Sequence, residues 1–414
     1  MSAANLARAV LGIVLLCSAP VAADFTLDIF GNANMDDTIN ADDIVFVQGI
    51  INGTNKETEL SDANYDGKID QKDVAQIDEI MRDVEKNLTI IQYLKPSTAP
   101  EVARTPVKIN LPIKSIAALS GTYGPEMLCV LGVKDKIIAV TDSAKTRGEM
   151  RDMIKDKPVV GSTFEWDMEK ILQLKPDVVL AYASYDFSEQ RKTLEDAGIT
   201  LVQMNFHKPE TYEGEVRSLG WLLDRRERVE ELIDFENEHL SLIEERVKGL
   251  KDSEKPRVYA ESYKDLQYGA TGSVSAAIDP CGGINIFADL NGTKDIDSEK
   301  VISENPQVIL KMTFNTYIPA SGYDAKNTTQ MEAKIKDIEN RTGWTNMDAV
   351  KDGRVYIISS DASSIHPSIF NSYVAKWLHP DLFKDVDPVA VHSEWLQKFL
   401  GIEFKGVYGY PLLK

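Results

Sequence analysis

Residues 169–180 read EKILQLKPDVVL, and residues 299–310 read EKVISENPQVIL, an ungapped match at an offset of 130 residues. Each copy predicts a short helix that ends at a proline, Pro176 or Pro306, followed by a buried strand. Because helices alternate with buried strands in parallel sheets, the match predicts two α/β units with related connections.

Other strand-like runs surround both copies and alternate with helical patterns, which is typical of an α/β fold with a mostly parallel sheet. These runs lie at residues 116–119, 137–140, 178–181 and 201–204, and again at 258–260, 308–310 and 355–358. Between the two groups, residues 225–250 form one charged helical pattern that would span about 37 Å at about 1.5 Å per residue. We therefore predict two Rossmann-like lobes, residues 107–224 and 251–414, joined by a single long helix.

The composition excludes several classes of protein. The chain has 414 residues, 43% of them hydrophobic, with 46 Lys+Arg, 65 Asp+Glu and a formal net charge of −19. Such acidity argues against nucleic acid and anionic lipid as partners, because both bind basic surfaces. Five His and three Cys leave little material for a zinc cage or a disulfide scaffold.

The first 23 residues resemble a secretory signal peptide. Arg8 supplies the positive charge, residues 9–19 are apolar, and small residues precede Asp24. The apolar run is shorter than the roughly 20 residues that span a bilayer, although a retained anchor is the alternative. We expect export to the periplasm or cell surface with no membrane insertion after removal, and we expect Cys129 and Cys281 to be free and buried.

Residues 24–95 contain 16 acidic and 6 basic residues, and one acidic pattern occurs there twice, 30 residues apart. Calcium takes six to eight oxygen ligands, and a loop with oxygens at positions 1, 3, 5, 7, 9 and 12 supplies them. In the first loop (32–43), Asn32 and Asp37 replace the Asp62 and Gly67 of the second loop (62–73). We therefore expect two calcium sites, the second stronger; a metal-free acidic hairpin is the alternative. The ligand candidates are Asn32, Asn34, Asp36, Thr38, Asn40 and Asp43, and Asp62, Asn64, Asp66, Lys68, Asp70 and Asp73, with position 7 contributing its carbonyl.

The paired loops resemble the dockerin type I repeat, because position 12 is Asp rather than Glu and an amphipathic helix follows each loop, at 41–51 and 71–84. The resemblance implies a small all-α domain over residues 24–95 and a cohesin-like partner, while a purely structural role stays open. Residues 96–106 contain three prolines and predict a semi-rigid linker.

The region 106–402 resembles the class III periplasmic-type substrate-binding proteins of ABC importers. The resemblance is carried by residues 116–120, 126–133, 159–161, 168–178 and 282–287, together with the long helix. It implies capture of cobalamin, a ferric siderophore or haem, and docking of Glu169 and Glu299 onto an ABC permease. The alternative for both glutamates is that each simply begins a helix, where an acid is favourable.

In a two-lobe binder the ligand lies beyond the carboxyl ends of the strands. Aromatic residues concentrate there, and core packing is the alternative for each of them. Aromatic faces with few ionisable groups suit a bulky, mostly neutral metal chelate better than a bare metal ion. Arg147 could contact an anionic group, and His366 could be an axial ligand or a structural residue. The predicted ligand contacts are Tyr123, Arg147, Phe164, Trp166, Tyr182, Tyr185, Tyr263, Tyr268, Phe314, Tyr317 and His366.

The sequence shows no nucleophile elbow, paired-carboxylate motif or phosphate loop, so we predict a binder and not an enzyme. The alternative is a dockerin-bearing component of an extracellular assembly, either an enzyme or a surface sensor. Activity on polysaccharide would identify the enzyme.

Overall fold

A computed structural model describes residues 27–95, 101–269, 274–314, 318 and 321–412. The predicted signal peptide and Tyr317 lie outside these residues. Within the described residues, no helix combines the length and apolar character needed to cross a bilayer.

The N-terminal module (residues 27–95) contains two helices and a strand that continues into a hairpin. Both helices begin with a capping box, formed by Asn40 with Asp43 and by Asp70 with Asp73. The module is therefore not all-α as the sequence predicted, because its last eight residues before Lys95 pair with a second strand. Its elements are α1 (Ala41–Ile51), α2 (Gln71–Met81), β1 (Asn87–Leu94) and the partner strand β2 (Ala103–Asn110).

Strand β2 takes up residues 103–106, which the sequence placed in the linker. Pro106 pairs with Ile91 in the antiparallel ladder. A proline is tolerated here because β2 lies at the edge of a two-stranded sheet, where its missing N–H breaks no central ladder. Proline content alone therefore predicted an irregular segment where a strand forms.

The N-terminal lobe contains a four-stranded parallel sheet in the order β4-β3-β5-β6. All residues of β3 and β5 are buried, which explains why these strands are continuous apolar runs. Its strands are β3 (Ile116–Ala118), β4 (Ile137–Val140), β5 (Val178–Ala181) and β6 (Thr200–Gln203). Its helices are α3 (Tyr123–Val130), α4 (Gly148–Ile154), α5 (Met168–Leu174), α6 (Ser188–Asp196) and α7 (Tyr212–Leu223).

Helix α8 (Arg226–Val247) runs between the two sheets, and 22 residues give it a length of about 33 Å. The strands of the C-terminal lobe are β7 (Arg257–Glu261), β8 (Gln267–Gly269), β9 (Ile284–Asn285), β10 (Thr293–Asp295), β11 (Val308–Thr313), β12 (Val355–Ser359) and β13 (Gly409–Tyr410). Five of them form one sheet in the order β13-β12-β11-β7-β9, parallel except for β13, while β8 and β10 pair with each other in a separate two-stranded sheet. The helices of this lobe are α9 (Val274–Ile278), α10 (Ser298–Glu304), α11 (Thr329–Glu339), α12 (Asp348–Lys351), α13 (Pro367–Leu378) and α14 (Pro388–Trp395). The predicted α/β class with parallel sheets is confirmed.

The 130-residue repeat has the same local structure in both lobes. Helices α5 and α10 begin after Asp167 and Asp297, whose side chains accept hydrogen bonds from the first turn. They end at Lys175 and Asn305, which adopt left-handed φ values of 49° and 42°. A proline follows each cap, and the buried strands β5 and β11 begin two residues later.

The module is attached to the N-terminal lobe by polar contacts on three elements. The backbone N–H of Gln203 in β6 donates to Gln92 Oε1 over 2.6 Å, and Lys95 N donates to Ala183 O over 2.9 Å. Arg226, at the start of α8, pairs with Asp83 over 2.6 Å. Apolar core residues also run without interruption from the module into both lobes. The module therefore packs against the lobe as part of one structure.

Candidate functional site

Aromatic side chains form a continuous strip along the carboxyl edge of the N-terminal sheet. Ring centroids of neighbours are 4.5 Å apart for Tyr123 and His207, 5.8 Å for Tyr123 and Tyr182, and 5.9 Å for Tyr182 and Tyr185. The aromatic strip contains His207, Tyr123, Tyr182, Tyr185, Phe164, Phe187 and Trp166. Because these residues follow β3, β5, β6 and residue Val160, parallel strand ends bring them to one edge.

The strip is exposed at Phe164 and Tyr185 and partly buried at Tyr123, Tyr182 and His207. Phe164 and Tyr185 are 55% and 40% exposed, and their rings are 4.7 Å apart. Burial raises the pKa of Tyr123 and of Tyr182, and it lowers the pKa of His207 to about 4. All three side chains are therefore neutral near pH 7, and the strip presents an uncharged aromatic surface.

The predicted C-terminal contacts separate into two groups. Tyr263 and Phe314 form an edge-to-face pair with ring centroids 5.1 Å apart. Tyr268 is 2% exposed, receives a hydrogen bond from Asn285 Nδ2 and packs against Phe287. Tyr268 therefore belongs to the core of the C-terminal lobe, because β8 folds back onto β10 and turns its side chain inward.

A buried charged cluster joins the lobes beside the strip. The Arg147 guanidinium lies 3.4 Å from Glu126 Oε2 and 3.6 Å from Glu149 Oε2, both in the N-terminal lobe. It also donates a hydrogen bond from Nη2 to the carbonyl oxygen of Asp361, in the C-terminal lobe. The inter-lobe cluster comprises Glu126, Arg147, Glu149, Asp361, Ser364, His366 and Tyr408.

Carboxyl groups outnumber the cation in this cluster. Burial raises the pKa of Glu126 and of Asp361, and it raises the pKa of Glu149 to about 7. Ser364 donates a hydrogen bond to Glu126, and Tyr408 donates one to Glu149 over 2.7 Å. The charge of Arg147 is thus offset by protein carboxyl groups, although its Nε has no hydrogen-bond partner in the described part of the chain, and this compensation lowers its attraction for an anionic ligand.

His366 lies inside the inter-lobe cluster and is 1% exposed. Its Nε2 is 3.8 Å from Glu126 Oε1, its Nδ1 is 3.1 Å from the Ala362 carbonyl, and its ring meets Trp395 edge to face. Burial holds the pKa of His366 well below its ordinary value, so the ring is neutral. These contacts match the structural interpretation of His366 rather than the axial-ligand interpretation.

Two cavities meet at Tyr123, which lines both. The larger, about 670 Å³, extends from Tyr123 and His207 along α8 and is lined by apolar residues such as Leu240 and Phe370. The smaller, about 260 Å³, is lined by Thr122, Tyr123, Thr146, Arg147, Phe314, Ser360 and Asp361. The end of the strip at Tyr123 therefore opens into both cavities between the lobes.

The two glutamates predicted to dock on a permease occupy equivalent exposed positions. Glu169 lies in the first turn of α5 and Glu299 in the first turn of α10. Glu169 receives one hydrogen bond from Gln173, four residues later, over 3.2 Å. Both carboxylates are therefore available at the surface of their lobes.

The two acidic loops share a framework built on the carboxylate at position 12. Asp43 and Asp73 are fully buried, and each accepts a backbone hydrogen bond over 3.1 Å from position 3. Each also accepts one from position 9, over 2.8 Å and 2.7 Å. Across the described residues, no three His, Cys, Asp or Glu side chains converge closely enough to hold a metal. The second loop nevertheless has one buried oxygen without a hydrogen-bond partner, Asn64 Oδ1, which has the chemistry of a calcium ligand.

Sequence reasoning missed His207 and the acidic members of the inter-lobe cluster. His207 follows β6 as Tyr182 follows β5, so the same strand-end rule could have found it. Glu126 and Ser364 are 238 residues apart in sequence, and no local sequence pattern predicts their contact. Cys129 and Cys281 are free and buried, as predicted.

Comparison with known proteins places these features in a family. The profile of the periplasmic binding protein family matches residues 116–362. The uncharacterized ABC transporter substrate-binding lipoprotein YvrC of Bacillus subtilis is 26% identical over 70% of this chain and 88% of its own. The molybdate-binding protein MolA of Haemophilus influenzae is 23% identical over 58% and 71% of the two chains. A cobalamin-binding protein of Halobacterium salinarum is 24% identical over 60% and 66%.

A solved structure shows the same fold. The TroA-like periplasmic binding protein FepB from Veillonella parvula superposes with a TM-score of 0.64 at 24% identity. The match covers 74% of this chain and 97% of that one. The fold described above is therefore similar to that of a periplasmic binding protein over almost the whole length of the latter.

Proposed function

Since this chain belongs to the periplasmic binding protein family, it is a substrate-binding protein of the ABC transporter class, and we propose that its cargo is a metal chelate held between the two lobes. The chelate would be a ferric siderophore, cobalamin or haem. Delivery to an ABC permease would take place outside the cytoplasm, and we propose no catalytic step.

The aromatic strip is the observation that carries this proposal. It leads from the exposed rings of Phe164 and Tyr185 to Tyr123, where both cavities begin. Aromatic faces bury large areas of a flat, rigid ligand and keep a hydrogen-bonding group on each tyrosine. A chelate has such a surface, whereas a bare cation or a small oxyanion does not.

Two further observations support a chelate over a smaller ion. An oxyanion needs an uncompensated cation, but the charge of Arg147 is already offset by the carboxyl groups of Glu126, Glu149 and Asp361. A bare transition metal needs converging His, Cys, Asp or Glu side chains, and no such group occurs among the described residues. MolA is nevertheless a relative, so molybdate is the rival cargo.

We propose that Glu169 and Glu299 contact the permease. The repeat gives them the same helix start, the same acidic cap and the same exposure in the two lobes. Paired acids at two matched surface points can fix the orientation of a partner that carries matched basic groups.

We also propose that the N-terminal module binds calcium through its second loop. The buried Asn64 Oδ1 and Asp73, with Asp62, Asp66, Asp70 and the Lys68 carbonyl, provide the oxygen donors that calcium prefers. Bound calcium would neutralise the carboxylates there and stabilise the fold. A cohesin-like partner for the module remains a prediction from the resemblance, and an assembly component or surface sensor is the alternative function.

Thermal unfolding with a panel of ligands tests the cargo. Cyanocobalamin, haemin, a ferric hydroxamate and a ferric catecholate siderophore are compared with molybdate and with Ni²⁺. A chelate that binds should raise the free energy of unfolding by about 2.7 kcal/mol at a hundredfold excess over Kd. Stabilisation by molybdate or Ni²⁺ with no response to any chelate would overturn the proposal. A calcium titration of the same sample tests the module separately.

A further inference from the structure

The two acidic loops share a framework but differ in what occupies their centres. In the second loop, Asp62 accepts backbone hydrogen bonds from Asp66 and Gly67 over 3.0 Å and 2.7 Å. The Asn64 side-chain oxygen has no partner although it is buried. Gly67 has a φ of +85°, with open space around its Cα. This loop therefore keeps a free oxygen and an unrestricted turn.

The first loop satisfies the corresponding oxygens internally. Asn32 Oδ1 and Asn34 Oδ1 both accept from the Asp36 backbone N–H, each over 3.1 Å. The Asn34 amide donates to Asp36 Oδ2 over 2.7 Å. The position-1 oxygen accepts the position-5 N–H in both loops, so the difference lies at position 3, where the Asn34 oxygen has a partner and the Asn64 oxygen has none among the described residues.

The amide of Asn32 fixes this arrangement. Asn32 is fully buried, and its Nδ2 donates to the Leu27 carbonyl over 2.8 Å and to the Asp36 carbonyl. Because both carbonyls can only accept hydrogen bonds, a flip of the Asn32 amide that exchanged its oxygen and nitrogen would lose both bonds. The first loop also has neutral Asn32 and Asn40 where the second has Asp62 and Asp70. Fewer carboxylates weaken the attraction for calcium.

The residue at position 6 of the first loop, Asp37, contacts the N-terminal lobe. Asp37 is not among the residues with left-handed φ, so the turn differs from that at Gly67. The Asp37 carboxylate lies 3.4 Å from Arg217 Nη1 on α7. Arg217 is 14% exposed at its side chain and also pairs with Glu230 and Glu213. The first loop is therefore attached to the N-terminal lobe through a network on α7 and α8.

We propose that the first loop is a calcium-independent anchor that holds the module on the lobe, and that the protein takes one calcium ion, in its second loop. The count of one rests on the calcium site proposed above, whereas the anchor does not. The module consequently stays docked when calcium is removed.

Native mass spectrometry and calorimetry of the full chain test the count. The wild type should bind one Ca²⁺, and the variant D62N, which gives the second loop the residue found in the first, should lose it or bind at least tenfold more weakly. Tb³⁺ luminescence excited through Tyr65, at position 4 of the second loop, should report the same loss. Two calcium ions in the wild type with one retained in D62N would overturn the proposal.

Hydrogen exchange in EGTA tests the anchor independently. Amides of α1 and of the first loop should stay protected in the wild type without calcium. The variant D37A should raise their exchange about two- to fivefold, as expected for a partly exposed ion pair, while D42A, an exposed acid on α1, should not. Loss of protection in the wild type on calcium removal would refute the anchor. A protein that binds no calcium yet keeps this protection would refute the second-loop site and support the anchor.

Discussion

Arg147 of the N-terminal lobe donates a hydrogen bond from Nη2 to the backbone oxygen of Asp361 in the C-terminal lobe, over 2.6 Å. Two carboxyl groups, those of Glu126 and Glu149, lie beside the same guanidinium. The side chain is 4% exposed, so these charges are only weakly screened by water. Arg147 therefore joins the lobes, although the sequence placed it among the ligand contacts.

Removal of Arg147 should destabilise the protein strongly. The variant R147A would leave the buried carboxyl groups of Glu126 and Glu149 without their cation, and loss of one partner of a buried ion pair typically costs about 3–5 kcal/mol. The matched control is R151A, which removes a surface ion pair with Asp324 between the same lobes and should cost at most about 1 kcal/mol. Denaturant unfolding measures both changes. Equal losses in the two variants would contradict this assignment.

The buried glutamates should make stability fall as pH rises from about 4.5 to 7, whereas buried histidines such as His207 and His392 act in the opposite direction, because their lowered pKa favours folding as the pH rises towards 6.5. Burial raises the pKa of Glu149, Glu215 and Glu236 to about 7, so the folded state holds protons that the unfolded chain releases above its ordinary pKa. A raised carboxyl pKa therefore favours folding at low pH, with a slope of about 1.4 kcal/mol per pH unit for each group. Thermal unfolding of the wild type and of E149Q between pH 4.5 and 8 isolates Glu149, and the stability difference between the two proteins should change by about 1.4 kcal/mol per pH unit below pH 7. An equal pH dependence of stability in the wild type and in E149Q would mean that Glu149 does not contribute to it.

The repeat made much of the fold predictable, because local signals there agree with the tertiary structure. Asp167 and Asp297 cap their helices, Lys175 and Asn305 end them, and each strand that follows begins with three buried apolar residues. The position of the aromatic residues after strands also predicted that the rings from Tyr123 to Phe164 lie together, because the loops that follow parallel strands lie at one edge of the sheet.

Predictions failed where distant segments decide the outcome. Tyr268 follows a strand, but β8 turns back and pairs with β10, which buries the ring. Residues 103–106 read as a linker because pairing with β1 has no signature within those residues themselves. The contacts of Glu126 and Glu149 with residues of the other lobe are likewise absent from local patterns. Long-range pairing, not propensity, determines these features.

The exposed end of the aromatic strip should contribute to ligand affinity and little to stability. Truncation in F164A or Y185A removes aromatic surface worth about 1.5–3 kcal/mol if a ligand covers it, or roughly 10- to 150-fold in Kd. The melting temperature should change little, because both rings are largely exposed already. The control is Y65A, an equally exposed tyrosine in the N-terminal module. Unchanged affinity in both strip variants would mean that the ligand does not bind at the exposed end of the strip.

Charge reversal at Glu169 and Glu299 should separate binding from delivery. Both carboxylates are exposed and lie outside the strip and both cavities, so E169K/E299K should leave Kd unchanged and lower the melting temperature only slightly, through the lost acids at two helix starts. Uptake of the bound cargo by vesicles that contain the cognate permease should fall at least tenfold, because two lysines would face the basic groups expected on the partner. E189K is the matched control, since Glu189 is exposed in the first turn of α6 but lies outside the 130-residue repeat. Equal uptake by the double variant and the control would mean that the two glutamates only begin their helices.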